Sequence, residues 1–173
     1  MAGWRQRLWA GAALLLGLAA AGPLAAAGHE ESLESAVKAT YLYKFTPFVE
    51  WPPAAAGGPA DAIHLCVAGS DPFGSVLGRA VAGQRLGERP FTVHRLRSAA
   101  DGAGCHVLYV APGDPAEVAR SLQAVRGQPV LTVTDRAAVP EAKGVINFVL
   151  VDGRVRFEID ARAAADKGLM ISS

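Results

Sequence analysis

The sequence predicts an α/β fold: a three-layer sandwich with helices on both faces of a mainly parallel sheet that ends in a C-terminal antiparallel hairpin. First, short apolar runs alternate with helical patterns between residues 63 and 135, which is typical of strand–helix–strand units. Second, Asp152-Gly153 separates two alternating runs and is the strongest short-range hairpin signal. Third, the length suits one domain with its own core once a leader is removed.

The N-terminal segment has the pattern of a secretory signal. Arg5 and Arg7 precede an apolar run over residues 8–21, and small residues follow at 25–27. The run is short for a bilayer-spanning helix, which needs about 20 residues, although an uncleaved anchor is the alternative. We expect cleavage after Ala27, export to the periplasm, and a single domain over residues 28–173.

The charge of the chain excludes one class of function. Lys and Arg number 17 against 16 Asp and Glu, giving a formal net charge of +1. Loss of Arg5 and Arg7 with the signal changes it to −1. Nucleic-acid binding usually requires a basic stripe, so no nucleic-acid partner is expected. We expect the mature protein to be soluble.

The first predicted element after the signal is an amphipathic helix with Ser32 as its N-cap. Its apolar face recurs at helical spacing, through Leu33, Val37, Tyr41, Phe45 and Phe48. Pro47 lacks an amide hydrogen and should kink or end the helix. Residues 48–52 are then predicted as a turn, and residues 53–59 as a loop.

Strands and helices alternate in the middle of the chain. Strands are predicted at 63–68, 91–96, 107–111 and 130–133. Helices are predicted at 72–81 and 115–125, with Asp71 and Asp114 as their caps and a proline at the first position of each.

The C-terminal part departs from this alternation. The hairpin arms are predicted at 145–151 and 154–159, with one face of the second arm apolar and the other wet. The apolar face consists of Val155, Phe157 and Ile159. A short alanine-rich helix should follow at 161–167, end at Gly168, and leave residues 169–173 without regular structure.

The two cysteines are expected to form a structural disulfide. Cys66 and Cys105 are the only cysteines of the chain, and disulfides persist in exported proteins. A zinc site that combines them with His64 and His106 has suitable ligand types. However, the adjacent Cys105 and His106 would point to opposite faces of a strand. Free thiols or a metal site remain the alternatives.

No catalytic constellation is evident, so the protein is predicted not to be an enzyme. The sequence contains no G-x-S-x-G motif, no phosphate-binding loop and no dinucleotide fingerprint. The carboxylates lie mostly at element ends, where they suit caps and turns. We therefore assign no catalytic residue, cofactor or resident metal.

The turn after the first strand is a candidate ligand site. Residues 69–74 open a helix at the expected carboxyl edge of the sheet, where small ligands bind in open α/β folds. A small-molecule-binding module is therefore the alternative function. Its predicted ligand residues are Ser70, Asp71, Phe73, Asn147 and Arg156.

An aromatic-rich segment beside the new N-terminus is the candidate partner surface. Five of the chain's twelve aromatic residues lie between Tyr41 and Trp51. Aromatic residues within a polar rim are typical interface anchors. A capping role over the core is the alternative for the turn. The predicted partner-binding residues are Tyr41, Lys44, Phe48, Glu50 and Trp51.

Several motifs together resemble one known family, the periplasmic YfiR family, which was first defined as a domain of unknown function. The resemblance covers about residues 32–173. The motifs are F-V-E-W-P at 48–52, D-P-F-G at 71–74, C-H-V-L-Y-V at 105–110, P-V-L-T-V at 129–133, G-V-I-N-F at 144–148, V-R-F-E-I-D at 155–160 and I-S-S at 171–173.

The resemblance implies an α/β sandwich and a non-enzymatic regulator. The best-understood member represses an inner-membrane diguanylate cyclase by binding its periplasmic sensor domain, which lowers cyclic-di-GMP, and an outer-membrane lipoprotein relieves the repression. Other members accompany sensor kinases or receptors. Cys66 and Cys105 match a cysteine pair of the family, whereas a second pair has no counterpart near residues 145–152. A homodimer is a further expectation.

Overall fold

A computed structural model describes residues 24–58 and 61–172, and it describes side chains from residue 33 onward. Residues 1–23 of the predicted signal peptide lie outside the described residues, and its cleavage stays a prediction. The helices are α1 (Leu24–Lys44), α2 (Pro53–Ala56), α3 (Ser75–Val81), α4 (Pro115–Ala124) and α5 (Ala161–Ala165). The strands are β1 (Val49–Glu50), β2 (Ile63–Ala68), β3 (Arg85–Leu86), β4 (Arg89–Leu96), β5 (Val107–Val110), β6 (Leu131–Asp135), β7 (Ile146–Val151), β8 (Arg154–Ile159) and β9 (Met170–Ile171).

Seven strands form one mixed sheet in the order β3-β4-β2-β5-β6-β7-β8. The five central strands, β4 to β7 in this order, are parallel. The outer strands β3 and β8 pair antiparallel to β4 and β7. The α/β class and the C-terminal antiparallel hairpin are therefore confirmed.

Helices cover the sheet from both sides, so the three-layer arrangement is confirmed. On β2, Leu65 and Val67 face the layer of α1 and α3, whereas Cys66 and Ala68 face the layer of α4. This alternation is the side-chain period of a strand that is buried on both faces. Within the described part of the chain, no helix combines the length and apolarity needed to cross a membrane.

The first helix buries a different face from the one predicted. It already includes residues 24–31, so Ser32 lies inside it and is not its N-cap. Leu33 is 60% exposed, whereas Ala39 and Leu42 are buried against the sheet. Ala39 allows close approach of the helix backbone to the sheet, and the bulkier aromatic stripe moves to the flank of the helix. Of the apolar stripe predicted as the core face, Phe45 is buried and Tyr41 is partly buried against the core, whereas Leu33 and Phe48 are exposed.

Pro47 ends the helix as predicted, but the segment after it is more ordered than a turn. Because Pro47 cannot donate to the Tyr43 carbonyl, the Thr46 hydroxyl donates to it instead, at 2.7 Å. A 3₁₀ turn over Thr46–Phe48 leads directly into β1. The predicted loop at 53–59 contains the single helical turn α2.

The C-terminal residues also form a strand, which corrects the prediction of an irregular end. Strand β9 pairs antiparallel with β1, with Val49 opposite Ile171. The pairing joins segments that are far apart in the chain, and each strand is only two residues long. Such short strands leave no periodic signal in the sequence.

The helix predicted at 72–81 begins later than expected. Its N-cap is Gly74, which has φ of +49°, and α3 starts at Ser75. Asp71 is not a helix cap but accepts the Phe73 amide at 2.7 Å in a local turn. The cap of α4 at Asp114 is confirmed, since its carboxylate accepts the amides of Ala116 and Glu117.

Replacement of Gly144 by alanine should destabilise the fold. A Cβ atom at this position would lie 2.7 Å from the backbone oxygen of Thr132, and a backbone atom cannot move aside easily. We expect a loss of roughly 1–3 kcal/mol in the free energy of unfolding, measured by urea titration. Gly78→Ala is the matched control: it lies inside α3 with open space around it, so it should stabilise by about 0.5–1 kcal/mol. Equal effects of the two substitutions would contradict the prediction.

Candidate functional site

An apolar groove opens between the end of α1 and the β7–β8 hairpin. Its volume is about 330 Å³. It is lined by Tyr41, Lys44, Phe45, Phe48, Val49, Ile146, Phe157, Ile159, Ile171 and Ser172. Among these described residues Lys44 alone is charged, so the groove suits an apolar group with a polar or acidic edge.

Stacked aromatic rings build one wall of the groove. Tyr41 and Phe45 lie one helical turn apart and stack with ring centroids 5.7 Å apart. Phe157 of β8 meets both rings edge-on, at 5.4 and 5.0 Å. Such edge-to-face packing holds rings in fixed orientations. The wall is therefore rigid before anything binds.

The second wall comes from the small β1–β9 sheet. The Ser172 amide donates to the Phe48 carbonyl at 2.9 Å, which fixes the end of β9 against the 3₁₀ turn. Phe48 itself points outward and is 54% exposed. The groove therefore has an aromatic residue at its rim that the protein's own core does not cover.

The apolar face predicted for β8 is also largely uncovered. Phe157 is 38% exposed and Ile159 is 45% exposed, so the face is apolar as predicted but only partly covered. Strand β8 is the edge of the sheet, and α1 covers only part of it. The face that helices leave open forms the bottom of the groove.

The predicted partner-binding residues divide into two groups. Tyr41, Lys44 and Phe48 line the groove. Glu50 is exposed on β1 and does not line it. Trp51 is half-buried and packs edge-on against His106, with ring centroids 5.7 Å apart. Its indole N–H has no hydrogen-bond partner among the described residues.

The two cysteines are joined by a disulfide, which overturns the four-ligand zinc alternative. Cys66 of β2 and Cys105, two residues before β5, form the bond. His106 also lacks a free ring nitrogen, because its Nδ1 accepts the His64 amide at 3.1 Å and its Nε2 lies 2.9 Å from the Arg89 guanidinium. Burial, together with the nearby Arg89 guanidinium, lowers the pKa of His106 to about 4. The neutral ring therefore ties the start of β5 to β2.

Three histidines cluster at this end of the sheet, and the sequence reasoning connected only two of them. His64 Nδ1 lies 3.0 Å from His94 Nε2. Both histidines lie in strands that the sequence predicts. That these two strands pair side by side could not be read from the sequence. Within residues 24–58 and 61–172, no group of three or more His, Cys, Asp or Glu side chains is arranged to hold a metal.

The predicted ligand residues lie in three separate places. Ser70 and Asp71 follow β2, and the Asp71 carboxylate pairs with Arg95 at 2.6 Å. Phe73 is buried against Tyr109 in the core. Asn147 and Arg156 lie on the β7–β8 hairpin, several strands away from β2 in the sheet.

Asn147 and Arg156 occupy opposite environments on that hairpin. Asn147 is buried, and its amide oxygen accepts from the Thr134 hydroxyl and the Ala137 amide. Its polar atoms are thus used by the chain itself. Arg156 is exposed on β8. The five residues therefore do not line one pocket, and their ligand role stays a prediction.

Lys38 forms a buried ion pair that sequence reasoning missed. Its side chain is 4% exposed, and Nζ lies 2.5 Å from Asp135 Oδ2 at the end of β6. Nζ also donates to Glu34. Burial alone would raise the pKa of Glu34, but the hydrogen bond and charge of Lys38, with Arg136, hold that pKa below its ordinary value.

Tyr109 completes this network from the neighbouring strand. Its hydroxyl donates to Asp135 Oδ2 at 3.2 Å. Burial, and then the charge of Asp135, raise the pKa of the Tyr109 hydroxyl above its ordinary range. The network holds α1 on the sheet and so fixes one wall of the groove.

The chain matches a known family over most of its length. Residues 35–173 match the family described as YfiR/HmsC-like. No curated protein matches the chain at a significant level. The matched region begins within α1 and includes all the strands of the described residues, the disulfide and the whole groove. The chain is therefore a member of the YfiR/HmsC-like family.

Proposed function

We propose that the protein is an exported, non-enzymatic regulator that binds the periplasmic sensor domain of an inner-membrane signalling protein through the groove. The signalling protein would be a diguanylate cyclase, which binding represses, so that cyclic-di-GMP falls. The observation that carries the proposal is the exposed Phe48 at the rim of an apolar groove. Contiguous exposed apolar surface of this kind marks interaction sites.

Family membership supports the same class of function. YfiR-like proteins are periplasmic and regulatory rather than enzymatic. A disulfide buried in the domain is consistent with an oxidising compartment. For this chain, the periplasmic location and the partner remain part of the proposal.

The groove is suited to an apolar side chain presented by the partner. Its aromatic wall is held in place by ring-to-ring contacts, so little ordering would accompany binding. Lys44 at the rim would favour an acidic residue beside the inserted group. Glu50 and Trp51 on the adjoining segment remain predicted contacts at the edge of this surface.

Regulation by such binding needs a preference for one state of the partner. To shift an equilibrium from 1:99 to 99:1 takes a difference of about 5.5 kcal/mol. Truncation of a buried aromatic anchor typically costs about 2 kcal/mol or more of binding free energy. A few groove residues are therefore enough to hold a sensor domain in its inactive state.

Phe48→Ala should weaken partner binding without loss of stability. Because the side chain is mostly exposed in the free protein, its removal leaves no cavity there. We expect about 30-fold weaker binding, which corresponds to an anchor worth about 2 kcal/mol. Binding is measured by calorimetry against the purified periplasmic sensor domains of inner-membrane diguanylate cyclases from the same organism, and cyclic-di-GMP is quantified in cells that carry each variant.

Leu33→Ala is the matched control for this substitution. Leu33 is also an exposed apolar residue, but it lies outside the groove, so its removal should not change affinity. Trp51→Ala should weaken binding as well, with some loss of stability because the ring packs on His106. Unchanged affinity of the Phe48 variant, or unchanged cyclic-di-GMP on deletion of the protein, would argue against the proposal.

A second candidate function is a periplasmic small-molecule-binding module for an amino acid or nucleotide-like ligand that feeds a sensor kinase or receptor. One observation favours it. A crevice of about 220 Å³ lies outside the carboxyl ends of β2 and β5, and Ser70 borders it. The chain leaves these two strands in opposite directions, which makes the crevice a topological switch point, where open α/β sheets bind ligands. A thermal shift with an amino acid or nucleotide, lost in Ser70→Ala, would support it.

A further inference from the structure

His64 and His94 face each other on two neighbouring parallel strands, away from the groove. Residue 64 of β2 is opposite Thr92 of β4, and His94 lies two residues further along β4 on the same face. His64 Nδ1 lies 3.0 Å from His94 Nε2. The Thr92 hydroxyl oxygen lies 2.9 Å from the first nitrogen and 3.2 Å from the second. Three donor atoms therefore form a nearly equilateral triangle.

This triangle has the dimensions of one face of a coordination shell. Imidazole nitrogens bind first-row metals at about 2.0–2.1 Å, so two nitrogens that share an ion at angles of 90–109° lie about 2.8–3.4 Å apart. We propose that His64 and His94 bind a divalent first-row transition-metal ion, with the Thr92 hydroxyl or a water at the third corner. His94 is exposed, so water can complete the shell.

The ligand type indicates which metal ions suit the site, and the surroundings indicate which other side chains can contribute. Imidazole ligands favour zinc, copper, nickel and cobalt over magnesium and calcium. His106 is excluded as a ligand, because its Nδ1 accepts the His64 amide and its Nε2 lies 2.9 Å from the Arg89 guanidinium. Cys66 faces the same side of β2 but is bonded to Cys105. The site therefore differs from the four-ligand zinc set that the sequence suggested.

A bound ion would join β2 to β4. The disulfide already joins β2 to Cys105 at the entry to β5, so the two links together would span three adjacent strands. An ion that binds only the folded protein stabilises it in proportion to the logarithm of its concentration. The metal supply of the compartment would thus affect the stability of the domain.

The test uses untagged protein exported from a full-length gene, with His29→Gln as the common background. His29 is the one histidine outside the described side chains, and its removal leaves only His64, His94 and His106. Zn²⁺ is titrated by calorimetry into this protein and into versions that also carry His64→Gln or His94→Gln. Mg²⁺ serves as the control ion. Electron paramagnetic resonance with one equivalent of Cu²⁺ counts the nitrogen ligands.

We expect one Zn²⁺ per chain, at least about 10-fold weaker binding when either histidine is replaced, no Mg²⁺ binding, and two imidazole nitrogens on Cu²⁺. The same three distances also suit a hydrogen-bond relay through the Thr92 hydroxyl. Zn²⁺ affinity that is equal in all three proteins, or a single nitrogen on Cu²⁺, would identify the relay and overturn the proposal. Because His94 is exposed, His94→Gln decides the outcome even if His64→Gln is poorly folded; circular dichroism checks the fold of each.

Discussion

Lys38→Met is expected to lower the free energy of unfolding by about 3–5 kcal/mol, because it leaves a buried carboxylate without its counter-ion. Lys38 Nζ contacts Asp135 Oδ2 at 2.5 Å, and both side chains are almost fully buried. Asp135 Oδ1 already has no hydrogen-bond partner among the described residues. With Lys38 gone, the Tyr109 hydroxyl would be the main group left to satisfy the charge.

The double variant Lys38→Met, Asp135→Asn separates loss of the charge pair from loss of packing. Removal of both charges should recover much of the stability, because no buried charge is then left alone. Lys143→Met is the matched control. It breaks an ion pair with Glu158 whose side chains lie in solvent, so the free energy of unfolding should hardly change. All are measured by urea unfolding at neutral pH. Equal effects of the two lysine substitutions would mean that the buried pair does not hold α1 to the sheet.

This pair also illustrates a limit of prediction from sequence. A lysine within a helix is usually solvent-exposed, and nothing near Lys38 in the chain marks it as buried. Its partner Asp135 is 97 residues away. Local patterns carry no information about such a contact, which depends on where the end of β6 meets α1.

The parts of the fold that were predicted correctly are those with strong local signals. The central strands β2 and β5 are predominantly apolar short runs, and the hairpin has Asp152-Gly153 between its two arms. Asp114 before Pro115 marked the start of α4. Each of these signals acts within about ten residues and can be read without knowledge of the tertiary fold, although the same Asp-Pro pair at residues 71–72 did not mark the start of α3.

The groove was predictable only in part, because it is built by segments that are distant in the sequence. Tyr41 and Phe48 were identified because they lie in a segment rich in aromatic residues. Phe157 and Ile171, which also line the groove, come from the far end of the chain and were not connected to that segment. The two-residue pairing of β1 with β9 closes the groove. Whether the aromatic stripe faces the core or the solvent depends on how α1 is rotated about its axis. Small buried residues such as Ala39 determine that rotation.

Loss of the Cys66–Cys105 disulfide is expected to lower the free energy of unfolding by about 4 kcal/mol, since the bond constrains the unfolded chain over a long loop. The two residues are 39 apart in sequence. Domains of this kind have a total stability of about 5–15 kcal/mol, so the bond is a large part of it. Without it, the position of β2 in the sheet depends on strand pairing and packing alone.

Two measurements separate the bond from the packing of its sulfurs. Cys66 and Cys105 are both buried in the layer under α4, so Cys66→Ala with Cys105→Ala removes atoms from the core as well as the cross-link. Wild-type protein unfolded in urea with a reductant loses only the cross-link and should show most of the effect. The double variant should be slightly less stable still, and reductant should not change it further. A reduced wild-type protein that unfolds at the same urea concentration as the oxidised protein would show that the disulfide adds nothing to stability. In that case α4 and the strands alone would hold β2 next to β5.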